Sequence, residues 1–104
     1  MRVAVPLFGK RVSPHFRTSA EVLLVDVIRG KIIDEKRIYW KELGAFERIE
    51  KLRQWNVEVL LCGGITLFNK GRVRALGVEV VSELRGKAKD VLKQWLQGHS
   101  SIGQ

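Results

Sequence analysis

The sequence predicts a three-layer α/β fold, in which a five-stranded mixed sheet of order 3-2-1-4-5, with strand two antiparallel, carries helices on both faces. Three observations lead there. The apolar period is short and strand-like up to Trp40 and becomes helical from Ala45. Arg29-Gly30 stands between two apolar runs, where a tight hairpin belongs. Beyond Ala45 helix and strand alternate, so the element order is β-β-β-α-β-α-β-α and the later connections are crossovers between parallel strands.

Arg2 to Leu7 is the first strand, with Val3, Val5 and Leu7 alternating against Ala4 and Pro6, small or apolar enough to be buried on both faces. Gly9 to Ser19 has no period and carries Ser13, Pro14 and Thr18 among Lys10, Arg11 and Arg17, which is loop chemistry. Glu21 to Ile28 is the second strand; Lys31 to Trp40 is the third, alternating through Ile32, Asp34, Lys36, Ile38 and Trp40. Phe46, Ile49, Leu52 and Trp55 mark an amphipathic helix ending near Asn56, followed by a fourth strand, Val57 to Leu61. After Cys62-Gly63-Gly64 comes a short helix, about Thr66 to Ala75, weakened by Gly71. Gly77 leads into a fifth strand, Val78 to Val81, and Ala88, Val91, Leu92, Trp95 and Leu96 form the stripe of a last helix. Residues 1–97 make one domain and 98–104 a flexible tail.

A chain of 104 residues with 45% hydrophobic content has room for one core. Its single cysteine excludes an intramolecular disulfide, no leader-like segment opens it, and no apolar run approaches the ~20 residues of a membrane helix. A cytoplasmic monomer or homodimer is the expectation. The net charge of +8 favours an acidic partner, although a solvated basic surface has the same composition.

If the first strand is central, the chain leaves strands one and four in opposite directions, and such a switch point is where open α/β sheets hold ligands. The loop after Leu7 and Cys62-Gly63-Gly64 would form that crevice. His15, in that crevice, is either a ligand-binding imidazole or a loop-capping residue; Lys10, Arg11 and Arg17 would neutralise an anion, or stay solvated. Cys62, at a helix start that can lower a thiol's pKa, is either a thiolate ligand or a small buried hydrophobe. Gly63 and Gly64 permit a tight turn and leave amides open to an anion. One Cys and two His fall short of the four ligands of an iron-sulfur or structural zinc site, so the chain cannot build such a site alone.

"RVSPHF" after the first strand and "LLCGGI" around the end of the fourth resemble the two signature loops of the dinitrogenase iron-molybdenum cofactor biosynthesis family, and the resemblance covers nearly the whole chain. It implies a ribonuclease H-like fold motif. It also implies a small binding or carrier protein for an anionic metal-sulfur cofactor, namely an iron-sulfur or iron-molybdenum cofactor precursor, with cofactor assembly proteins as partners. The family's cofactor-binding loop histidine corresponds to His15, and Arg17 stands where the family commonly has glycine.

Two rivals come from other classes. A Cys62-His15 thiol enzyme has a nucleophile and a base but no third, orienting group. A basic nucleic-acid-binding module draws on the charge and on Lys70, Arg72 and Arg74, but no recognised motif supports it, and Trp55 and Trp95 lie on core stripes. A ribonuclease-type metal site would need converging carboxylates, whereas Arg2 to Leu7 has none and Asp26 alone lies near the sheet centre.

Overall fold

The structure, a computed structural model, describes the chain from Met1 to Ile102, with side chains as far as Gly98. Its elements are β1 (Arg2–Phe8), β2 (Arg11–Val12), a single 3-10 turn (Phe16–Thr18), β3 (Glu21–Ile28), β4 (Lys31–Tyr39), α1 (Ala45–Gln54), β5 (Val59–Leu61), α2 (Leu67–Arg74), β6 (Glu79–Val81) and α3 (Ala88–Ile102). The sheet runs β4-β3-β1-β5-β6, with β3 antiparallel to both neighbours and β5 parallel to β1 and β6. This is the expected order with one addition. Arg11 and Val12 fold back on Phe8 and Leu7 as a sixth strand, too short for any period to reveal.

β1 is central because Val3, Ala4, Val5 and Leu7 are all buried. Val3, Val5 and Leu7 pack with Ala88, Val91, Leu92 and Leu96 of α3, whereas Ala4 belongs to the cluster containing Ile49 and Leu52 of α1 and Val73 of α2. The three layers follow directly from that alternation. The β3–β4 hairpin turns at Arg29 and Gly30, whose φ angles of 53° and 77° are the left-handed pair that a two-residue hairpin turn requires.

Two helix expectations are corrected. Phe46 is 62% exposed, and Arg48, not Phe46, enters the interior with Ile49 and Leu52. A spacing of three falls about 60° short of a full turn at each step, so four residues at that spacing cannot share one face. Trp95 is only half-buried at the edge of its cluster, while Trp40, the end of the third strand's alternation, is the tryptophan sealed in the core. α3 continues through Gly98 to Ile102, past the domain boundary expected at 97, since a lone glycine costs a helix roughly 1 kcal/mol and does not end it. Residues 103 and 104 of the expected tail lie outside the described residues.

Candidate functional site

The carboxyl ends of β1, β5 and β6 each continue into a loop, and backbone hydrogen bonds knit the three loops together. Ser13 N–H donates to Pro6 O at 2.8 Å and Val12 N–H to Gly86 O at 2.9 Å. Gly64 N–H donates to Pro14 O at 2.7 Å, and Phe16 N–H returns a bond to Gly64 O at 2.8 Å, so that His15 and Gly64 pair like neighbours in a parallel sheet. Only glycine allows this approach. A Cβ on Gly63 would overlap Ser13 O, and one on Gly64 would stand 2.7 Å from Pro14 O.

The inner side of the His15 loop is fastened by Arg48, a buried guanidinium. It donates to Phe16 O at 2.9 Å, Ser19 Oγ at 2.8 Å, Leu43 O at 2.8 Å and Lys41 O at 3.3 Å. It also lies 4.9 Å from the centre of the Trp40 ring, and Trp40 Nε1–H donates to the same Ser19 Oγ at 2.9 Å. Phe16 meets Trp40 edge to face, and Trp55 stacks on Trp40 with ring centres 6.2 Å apart. All the oxygens around Arg48 are neutral, so burial lowers its pKa below the ordinary guanidinium value without displacing the charge.

Above this anchorage two contiguous clefts open, of about 450 and 520 Å³. Both are lined by His15, Gly64 and Glu83; Arg11 and Arg85 line the first, Arg17, Thr66 and Asn69 the second. His15 is exposed, and Arg11, Arg17 and Arg85 are exposed cations in no ion pair among the described residues. Thr66 caps α2 by accepting from Asn69 N–H at 3.1 Å, which fixes the far wall of the second cleft.

Of the residues proposed from sequence, His15, Arg11, Arg17, Gly63 and Gly64 come together here. Lys10 does not: it lines a separate cleft with Leu7 and Leu23. Cys62 is fully buried beside Leu60 and Val73, and burial pushes its thiol up to about 12, the reverse of the lowering expected from a helix start. Desolvation of a thiolate in apolar surroundings outweighs the nearby Lys70 charge. A thiol so held is neither an accessible ligand nor an activated nucleophile, which also disposes of the Cys62-His15 pair as a thiol enzyme. The Gly64 amide expected to meet an anion is already given to Pro14. The pair's role is close approach.

The third loop, Ser82 to Lys87, is absent from the sequence-derived site. It follows the last parallel strand, so the same switch-point rule reaches it, and Gly86 marks its turn. Glu83 holds a φ of 63°, unusual for a residue with a side chain, and its N–H donates to Gly63 O at 3.0 Å.

Other candidate chemistry disperses. Asp26 is bound by Arg2 at 2.8 Å, which holds its carboxyl below the usual carboxylate range. Lys70 is turned inward to Ser82 Oγ at 2.9 Å, Arg72 lies between the Phe46 and Phe68 rings, and Arg74 alone of the three is exposed, so no basic stripe forms on α2. Among the described residues no three His, Cys, Asp or Glu side chains cluster as a metal site, and no helix is long and apolar enough to cross a membrane.

Residues 1–98 match the family described as dinitrogenase iron-molybdenum cofactor. No curated protein sequence matches the chain. Among solved structures, PH0822 is similar with a TM-score of 0.88 at 24% identity, over 94% of this chain and 90% of its own. The apo form of the orange protein from Desulfovibrio gigas is similar with a TM-score of 0.78 at 21% identity, over 93% and 88%. The MJ0327 protein of Methanocaldococcus jannaschii has a TM-score of 0.78 at 19% identity, over 94% and 89%. At these identities the structures share the fold.

Proposed function

This chain belongs to the dinitrogenase iron-molybdenum cofactor family, and from that premise we propose that it is a carrier whose cargo is an anionic metal-sulfur cofactor or its precursor. A cofactor-assembly or carrier role fits the family, and the orange protein, a relative in fold, has a form described as apo. The supporting observation is the convergence of an exposed imidazole, His15, with Arg11, Arg17 and Arg85, three cations in no ion pair among the described residues, around two joined clefts at the sheet's switch point.

In this reading His15 supplies one reversible nitrogen bond to iron while the arginines neutralise the cargo's charge. One coordinating side chain and a cationic rim hold a preassembled cluster without completing its ligand set, so release remains easy. Cys62 belongs to the packed floor. Cofactor assembly proteins are the partners that would load and unload such a carrier, in a monomer or homodimer.

Anaerobic mixing with an isolated iron-molybdenum cofactor or iron-sulfur precursor, followed by gel filtration and absorption spectroscopy, tests the proposal. Cofactor absorption should co-elute with the protein and be lost from the His15→Ala, Arg11→Gln, Arg17→Gln variant. Equal co-elution with that variant overturns the proposal.

A further inference from the structure

A separate cleft of about 450 Å³ lies between the β3–β4 hairpin and the start of α3, and shares no lining residue with the two around His15. Its floor is apolar: Leu7, Leu23 and Ala88, each less than 5% exposed and all members of the core beneath α3. Its rim is mainly cationic. Arg37 is engaged by Glu21 at 2.6 Å and by Gly9 O at 3.0 Å, and Lys89 by Glu35 at 2.9 Å. Lys10 and Lys87 are in no ion pair among the described residues.

The backbones of these two lysines are fixed. Lys10 O accepts from Ala88 N–H at 2.9 Å, Lys87 O accepts from Val91 N–H at 3.0 Å, and Lys87 bridges to Arg11 across the sheet edge. Two ammonium groups therefore stand on rigid supports beside an apolar floor of small-molecule size. Asp90 on the same rim offsets one charge and leaves the balance positive.

We propose that this cleft is a second binding site, for a small amphiphilic anion. Its hydrocarbon or ring body rests on Leu7, Leu23 and Ala88, and its carboxylate or phosphate head lies between Lys10 and Lys87. Apolar contact selects for the body, and charge-assisted hydrogen bonds from the two ammonium groups strengthen the hold on the head. Neither a neutral alcohol nor a cation of the same shape gains the second term.

The full chain, 15N-labelled, is titrated with octanoate and with octyl phosphate, and with octylammonium as the charge control. Both anions should shift the amides of Leu7, Leu23 and Ala88 saturably, and octylammonium should not. The Lys10→Gln, Lys87→Gln variant should bind octanoate about ten-fold more weakly or worse, with thermal unfolding unchanged, whereas His15→Ala should bind as the native protein does. Weaker octanoate binding at higher ionic strength provides a readout that needs no variant. Equal binding of octylammonium, shifts centred elsewhere, or undiminished affinity in a folded double variant each overturns the site. Because the readout does not involve His15, its failure leaves the carrier proposal standing, and the reverse.

Discussion

The two sides of the loop from Ser13 to Ser19 are built from opposite chemistry. Facing the protein, Phe16 and Ser19 meet Trp40 and Arg48, and each nitrogen of that guanidinium donates a hydrogen bond at 2.8 to 3.3 Å. Facing solvent, Pro14, His15 and Arg17 are exposed, and neither His15 nor Arg17 joins an ion pair among the described residues. Order is supplied from below and chemistry displayed above. An exposed residue that does not hold its own loop is free to meet a ligand, and its removal should leave the fold nearly untouched.

Arg48→Ala should break that arrangement most severely. It removes the side-chain donor from the carbonyls of Leu43 and Lys41, leaves Phe16 O with Ser19 Oγ alone, opens a void beside Trp40, and should cost roughly 3 kcal/mol or more in a denaturant titration. Arg48→Lys keeps a charge but not the planar fork, and should recover less than half of the loss. A change below about 1 kcal/mol for Arg48→Ala would mean that the loop is ordered by something else. Gly63→Ala comes next. Its methyl would overlap Ser13 O, so two backbones must separate, for a destabilisation of about 2 kcal/mol by the same measurement.

The fold is legible in the sequence because its signals are repeated: apolar alternation in β1, the Arg29-Gly30 turn, the α3 stripe. The site is legible only where a rule about position applies. His15, Arg11, Gly63 and Gly64 follow from placing ligands at the switch point, and the loop after β6 would have followed from carrying that rule one strand further. Arg48 is not legible, because a charged residue between Glu47 and Ile49 reads as solvent-facing, and only the tertiary contact with Trp40 and Ser19 gives it a place inside. Cys62 is ambiguous for the opposite reason. Its local position, a strand end before a helix, favours a thiolate, while its burial is decided by packing against residues distant in sequence.

Cys62 gives a smaller and purely pH-dependent test of the inner side. The folded protein holds the thiol protonated up to about 12, whereas the unfolded chain's thiol ionises near the ordinary 9.0. The unfolded state therefore loses its proton first as pH rises. Stability from this group is whole below pH 9 and falls progressively toward pH 12. Cys62→Ala should remove that component, flattening the alkaline decline relative to the native protein in parallel denaturant titrations. Parallel curves would place the thiol in contact with water. Iodoacetamide should label it quickly only after denaturation.

The smallest effect on stability is expected on the outer side, and it sharpens the comparison more than the others. His15 is exposed, and the hydrogen bonds that position it use its backbone: its N–H donates to Ser13 Oγ at 3.3 Å, and its carbonyl accepts from the same hydroxyl at 3.0 Å. The imidazole is not needed for either bond. His15→Ala should therefore change the unfolding free energy by less than about 0.5 kcal/mol, the range for surface positions away from caps and networks, while Ser13→Ala, which removes both bonds, should cost about 1 kcal/mol. The two variants differ in what they remove from the same three-residue stretch: one loses the displayed group and the other its support. If His15→Ala proves as costly as Ser13→Ala, the imidazole is part of the scaffold, and the division between a supporting inner side and a recognising outer side fails at the residue on which it matters most.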